Sequence, residues 1–168
     1  MGHVRRRRAA RVFLLDADNR VLLFKGGDPA ATARVWFPPG GEVEPREDDA
    51  DAARRELREE TGIDVEKLVG PVCSGRVVFR IADDVYDVDQ VFFLARTGSH
   101  KVDMSGLDAG EARSIADFRW WSRDEIAHSA ERFVPAELDA VLHAVLKQPD
   151  CLPLALQDDT RQIQEATR

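Results

Sequence analysis

Three glutamates, Glu56, Glu59 and Glu60, stand at i, i+3 and i+4 in the run RELREET. On a helix that spacing places all three carboxylates on one face. Like charges so arranged destabilise a helix unless something neutralises them. A hard divalent cation held by carboxylate oxygens would do so. Such a cation stabilises developing negative charge, orients reactants and lowers the pKa of water. A carboxylate beside that water can take its proton.

The element carrying these residues has clear ends. Asp48 is a suitable N-cap, with Asp51 three residues later as a weak capping-box partner. Asp49 and Asp51 suit the positive end of the helix dipole. Gly62 occupies the left-handed C-cap position, so the helix ends near Thr61. Ala50, Ala53 and Leu57 form an apolar stripe beside the acidic face, with two small residues that allow close approach to a sheet.

Upstream, Ala9–Leu15 and Val21–Lys25 read as a β-hairpin about the turn DADNR. A small-residue loop over 26–34 leads to a short strand, Val35–Phe37, stopped by Pro38-Pro39-Gly40-Gly41. Downstream, Val72–Ile81 and Val85–Arg96 are two strands joined by Ala82-Asp83-Asp84; the second turns fully apolar at Val91–Ala95, as a buried strand does. A polar loop spans 97–110, and DFRWW at 117–121 is a short strand. The S-x-x-E capping box at Ser122–Glu125 starts a helix running to about His128. Pro135 suits the first position of a last helix, whose stripe is Leu138, Val141, Leu142 and Leu146. The order is that of one mixed α/β domain. It is expected over 9–147, between a flexible basic terminus at 1–8 that includes Arg5–Arg8 and an irregular tail at 148–168.

With 168 residues, 43% of them hydrophobic, the chain is long and apolar enough for a real core. The net charge of −7 argues against a general nucleic-acid binder, which relies on Lys and Arg at phosphates. No apolar run reaches bilayer length, and Val12–Leu15 is too short for a signal-peptide core. Cys73 and Cys151 form no CxxC pair, and a reduced, cytoplasmic compartment fits them best.

The segment Gly41–Ile63 matches the Nudix box, G-x5-E-x7-R-E-U-x-E-E-x-G-U with U aliphatic, through Gly41, Glu47, Arg55-Glu56-Leu57, Glu59-Glu60 and Gly62-Ile63. The chain therefore resembles the Nudix hydrolases, and the likeness of the surrounding segments extends it from about Ala9 to Leu146. The resemblance implies an α/β/α sandwich with a mixed sheet, the box forming a loop–helix–loop. It implies that Glu56, Glu59 and Glu60 bind metal, that the Gly40 carbonyl adds a backbone ligand, and that Arg55 and Glu47 form an ion pair orienting the glutamates. It implies Mg2+ or Mn2+, with water attacking phosphorus to split a nucleoside diphosphate from a linked moiety. A diphosphate is an anion that cannot approach an acidic wall without cations between them. Glu59 and Glu60 are the favoured ligands, with Glu56 as ligand or base. Glu111 is the candidate carboxylate from outside the box, with Asp87 and Asp89 as rivals, and Arg113 is a candidate phosphate contact.

Glu42, Glu44 and Asp49 read as solvent-facing, Glu44 near enough to be an outer ligand. Trp36, Trp120 and Trp121 read as packing residues. No histidine has a partner at metal-ligand spacing. The expected partners are a nucleotide-derived small molecule and, in a homodimer, a second copy of the chain, with no membrane and no nucleic acid. A non-catalytic Nudix-like binding module and a diphosphate isomerase are the alternatives, and the undegraded box favours neither. Signatures of reduced-dinucleotide, coenzyme A and ADP-ribose hydrolases are absent from their usual places. Nucleotide sugars, ADP-ribose-like compounds and nucleoside triphosphates remain as substrate classes.

Overall fold

The computed structural model describes residues 3–27, 34–81, 84–98, 101–148 and 152–158. A mixed sheet is built from β1 (Val4–Leu15), β2 (Val21–Gly26), β3 (Val35–Phe37), β4 (Gly40–Glu42), β5 (Leu68–Ile81), β6 (Asp84–Arg96), β7 (Ile115–Trp121) and β8 (Leu154–Ala155). Its path is β3-β2-β1-β6-β5-β8, with β4 on β1 and β7 on β2. The helices are α1 (Asp49–Thr61), α2 (Glu111–Ser114), α3 (Arg123–His128) and α4 (Leu138–Lys147).

Alternation along the central strands divides the core into two layers. Val12 and Leu14 of β1 and Val91 and Phe93 of β6 pack with Ala52, Ala53 and Leu57 of α1. Phe13 and Leu15 of β1 and Phe92 of β6 face the other way, onto Ile126 of α3 and Leu138, Val141 and Leu142 of α4. The result is an α/β/α sandwich. Trp36 and Trp121 are core residues, edge to face at 5.0 Å, with Phe133 against Trp121 at 5.2 Å.

The predicted hairpin is a turn whose strands part almost at once. The Asp16 carboxylate accepts from the N–H groups of Asp18 and Arg20, both at 2.8 Å, and from Arg20 Nε at 2.7 Å. Yet β1 and β2 share only the rung Leu15↔Val21. Beyond it β3 pairs with β2 and β4 pairs with β1, so the segment between Phe37 and Gly40 bridges two diverging halves of the sheet. The Pro-Pro-Gly-Gly segment therefore does more than stop a strand: its glycines start β4, and Gly40 pairs with Arg11.

Four further expectations are revised. Arg5–Arg8 belong to β1, which runs parallel to β6 from Val4↔Val85 to Leu15↔Arg96. Their charges meet Asp84, Asp87, Glu42 and Asp49, partners too distant in sequence for a local charge run to reveal. β5 begins at Leu68 rather than Val72, extended by pairing with Leu94 and Ala95. Pro135 lies three residues before α4, its carbonyl accepting from Leu138 N–H at 3.1 Å. Beyond 148 the chain is not wholly irregular: β8 adds to β5 in parallel, through Cys73↔Leu154 and Ser74↔Ala155. The expectations for residues 28–33, 82–83 and 159–168, and for His100 and Cys151, lie outside the described residues. Among the described residues no helix is long and apolar enough to cross a membrane.

Candidate active site

Helix α1 is defined at both ends by its own sequence. Asp48 accepts from the Ala50 N–H at 2.8 Å. Gly62 has φ 70°, a left-handed conformation that a side chain disfavours, and its N–H returns to the Arg58 carbonyl at 2.9 Å. Ala52, Ala53 and Leu57 hold one side of the helix to the sheet. The adjacent side then carries Glu56 and Glu60 against β4, at Gly41 and Gly40, where that strand follows the parting of β1 and β2.

Arg55 organises the acidic residues. It meets Glu47 through two bonds, Nε to Oε1 and Nη2 to Oε2, each 2.9 Å. Its Nη1 donates to Glu56 Oε1 at 2.6 Å and to Glu59 Oε2 at 3.3 Å, and Nη2 also donates to the Glu42 carbonyl at 3.1 Å. The guanidinium holds the Glu47 carboxyl down at about 2, hydrogen bonding being the main cause, helped by the Glu44 N–H. The ion pair expected between Arg55 and Glu47 is thus present as geometry. It fixes one oxygen of Glu56. The carboxylate of Glu56 also lies so close to Gly41 that a Cβ there would stand 2.6 Å from it, which explains a glycine at this position.

Glu60 is buried, at 3% exposure, and Oε2 accepts from the Gly40 N–H at 2.7 Å. Burial pushes its carboxyl up to about 8. The Gly40 N–H and the charge of Arg11 oppose the rise; Glu56 and Glu111 add to it. Burial also raises Glu56, against the pull of Arg55. Two carboxylates held away from water, each raised, constitute a site short of positive charge.

The structure brings Glu111 to this place. One carboxylate oxygen from each of Glu56, Glu60 and Glu111 lies within 4.8 Å of the others. Glu111 opens α2 and is held by the Asp108 N–H, which donates to its Oε2 at 2.8 Å, while its own N–H donates to Asp108 Oδ1 at 2.9 Å. An all-oxygen donor set of this size fits a small hard cation such as Mg2+ or Mn2+.

Other expected members stand apart. Glu59 has a 51% exposed side chain and, among the described residues, is tethered by Arg55, outside the three-carboxylate group. Asp87 is bound by Arg76 at 2.6 and 2.9 Å, on a strand segment that also meets Arg6, and Asp89 is exposed. Neither joins the cluster, because both lie on the part of β6 that extends alongside Arg6 and Arg8. Arg113 is exposed and donates to the Ala109 carbonyl at 2.9 Å. Gly40 meets the cluster through its N–H, while its carbonyl accepts from Arg11 Nη1 at 3.2 Å. Sequence reasoning passed over Arg11. The available signal was a lone cation inside the apolar run AARVFLL.

Comparisons with known proteins agree with this architecture. A family model described as NUDIX domain matches residues 5–142. No curated protein matches the chain. Among solved structures, the MutT protein from Methanosarcina mazei is 20% identical with a TM-score of 0.60, covering 86% of this chain and 95% of its own. The NUDIX domain of Shewanella oneidensis NrtR, solved with ADP ribose, is 18% identical with a TM-score of 0.62, covering 85% and 90%. The C. elegans Ap4A hydrolase is 22% identical with a TM-score of 0.56, covering 83% and 97%. At these identities the likeness is one of fold.

Proposed function

This chain belongs to the NUDIX domain family, and on that premise we propose that it is a cation-dependent hydrolase of phosphoanhydride bonds in nucleotide derivatives. The observation that carries the reading is the convergence of Glu56, Glu60 and Glu111 in one partly buried oxygen cluster, braced by Arg55 and Glu47. Glu56, Glu60 and Glu111 would hold the Mg2+ or Mn2+. Glu59 would serve at the exposed rim. When bound, the ion supplies charge neutralisation for a diphosphate and electrophilic assistance at phosphorus.

The chain's own residues do the rest. Arg55 holds Glu56 by one oxygen and keeps Glu47 ionised, so the second half of α1 and the loop before the helix present a fixed acidic wall. The Gly40 N–H fixes one oxygen of Glu60. Burial of Glu60 excludes water from the inner edge of the site, where electrostatic interactions are stronger than at the surface. Rigid placement of this kind is what in-line attack on phosphorus requires. The substrate is a nucleoside diphosphate joined to a second group, as in a nucleotide sugar, an ADP-ribose-like compound or a nucleoside triphosphate. The intact set of box carboxylates supports hydrolysis over the binding-module reading, which has no need of them.

A panel of nucleotide sugars, ADP-ribose-like compounds, dinucleoside polyphosphates and nucleoside triphosphates tests this. With Mg2+ or Mn2+, at least one should release a nucleotide or phosphate, and EDTA should abolish the release. Silence across the panel with both ions would contradict the proposal.

A further inference from the structure

Arg11 is a cation near the cluster that lies outside the family motif. Its Nε donates to Gln90 Oε1 at 2.9 Å, and Nη1 donates to the carbonyls of Pro38 at 3.1 Å and Gly40 at 3.2 Å. Its guanidinium lies over the Phe37 ring, 5.5 Å from the centroid. All these partners are neutral. Arg5, Arg8, Arg55 and Arg76, by contrast, each meet a carboxylate. Among the described residues no carboxylate lies within ion-pair distance of Arg11, and no hydrogen bond engages its Nη2.

A guanidinium offers five N–H donors in a rigid planar fork. Here three are committed, to a buried glutamine amide and two backbone carbonyls, which fixes the plane. The two on Nη2 remain available. A half-buried cation without a counter-ion is costly, and at this position Glu60 and Glu56 offset the cost through space. A divalent cation on those carboxylates would take that compensation away. Gly40 links the two sides, its N–H on Glu60 and its carbonyl on Arg11. With the cation in place, positive charge flanks Gly40 on both sides, and an arriving anion restores the balance.

We propose that Arg11 is a substrate-binding residue whose free Nη2 donors take a phosphoryl oxygen of the diphosphate, across Gly40 from the carboxylate cluster. The assignment rests on the hydrolase reading above. It adds a second, protein-borne cation to the site, one that binds substrate and not metal. Arginine suits this use because three donors can hold the plane while two meet the ligand; lysine, a single rotating ammonium, cannot do both.

The test uses methylenediphosphonate, which cannot be hydrolysed at its bridge, binding to the full chain in the presence of Mn2+, with Mn2+ affinity measured separately by electron paramagnetic resonance. Arg11→Gln should weaken diphosphonate binding at least about tenfold, as loss of hydrogen bonds to a charged group does. Its Mn2+ affinity should hold or tighten, since a cation has been removed beside Glu60. Arg11→Lys should fall between, and it serves as the test variant if Arg11→Gln does not fold. Unchanged diphosphonate affinity would overturn the assignment, as would absence of diphosphonate binding by the wild-type chain. So would a parallel loss of Mn2+ and diphosphonate binding, which would make Arg11 a support for Gly40 only. The hydrolase reading fails by a different result, no turnover across the nucleotide panel while diphosphonate still binds.

Discussion

At the scale of single residues, the two glutamates that close the box sit in unlike surroundings. Glu60 is buried and held by the Gly40 N–H; Glu59 is half exposed and tethered by one long bond to Arg55. Their roles should differ accordingly. Glu60→Gln is expected to lower kcat by about a hundredfold or more, the scale seen when a preorganised electrostatic contact is removed. The melting temperature should hold, because an amide keeps the Gly40 contact and removes a carboxyl that burial has pushed up to about 8. Glu59→Gln should cost at least tenfold less than Glu60→Gln, by order of magnitude. Equal losses in the two variants, measured in parallel with thermal unfolding, would contradict this division. Sequence alone ranked Glu59 and Glu60 together, because helical spacing shows which residues share a face and not how deep each one sits.

At the scale of elements, α1 was the most legible part of the chain. Asp48, Gly62, Ala53 and Leu57 lie where capping and periodicity put them, because these signals act within one or two turns; Ala52 is fully buried in the stripe, and Ala50 is only partly buried at its edge. What escaped the sequence were pairings between distant segments. Arg5–Arg8 have partners on β6, on β4 and at the start of α1, and β8 has its partner on β5. Two local joints carry predictions. At Gly41 an added methyl would meet the Glu56 carboxylate, which must then move. Gly41→Ala should therefore reduce kcat at least about tenfold, as displacements of reacting groups do. Thermal stability should change little, since the displaced group is a side-chain tip. Normal activity in this variant would show that Glu56 need not stay where Arg55 puts it. At the β1–β2 turn, burial works to raise the Asp16 carboxyl, but the bonds from Arg20 and the Asp18 N–H outweigh it and hold it below its ordinary value. A folded-state pKa below the unfolded one stabilises at pH values above the unfolded value. That contribution is lost as pH falls through the folded one. Asp16→Asn should then destabilise by about 1–3 kcal/mol at neutral pH. The difference from wild type should shrink below roughly pH 3.8, the ordinary aspartate range. Denaturant unfolding at pH 7 and pH 3 checks the sign; a constant difference would contradict it.

At the scale of the whole molecule, the site exists because the sheet opens. β1 and β2 part after one rung, β3 and β4 fill the gap, α1 brings Glu56 and Glu60 onto β4, and the start of α2 brings Glu111. The box residues could be read in order along the chain. Glu111 could only be ranked beside Asp87 and Asp89, since choosing among three distant carboxylates requires knowing which strand each lies on. Arg11 went unread for a related reason: an arginine in an apolar strand shows its use only when its neutral partners are in view. On the function proposed above, Glu56, Glu60 and Glu111 together form the cation site on which hydrolysis depends. Mn2+ titration by electron paramagnetic resonance on wild type, Glu111→Gln and Asp87→Asn tests it most directly. The wild type should bind Mn2+, Glu111→Gln should bind it at least about tenfold more weakly, in line with the cost of losing a hard oxygen ligand, and Asp87→Asn should keep wild-type affinity. Undiminished Mn2+ affinity in Glu111→Gln, or its loss in Asp87→Asn, would show that the cation sits elsewhere.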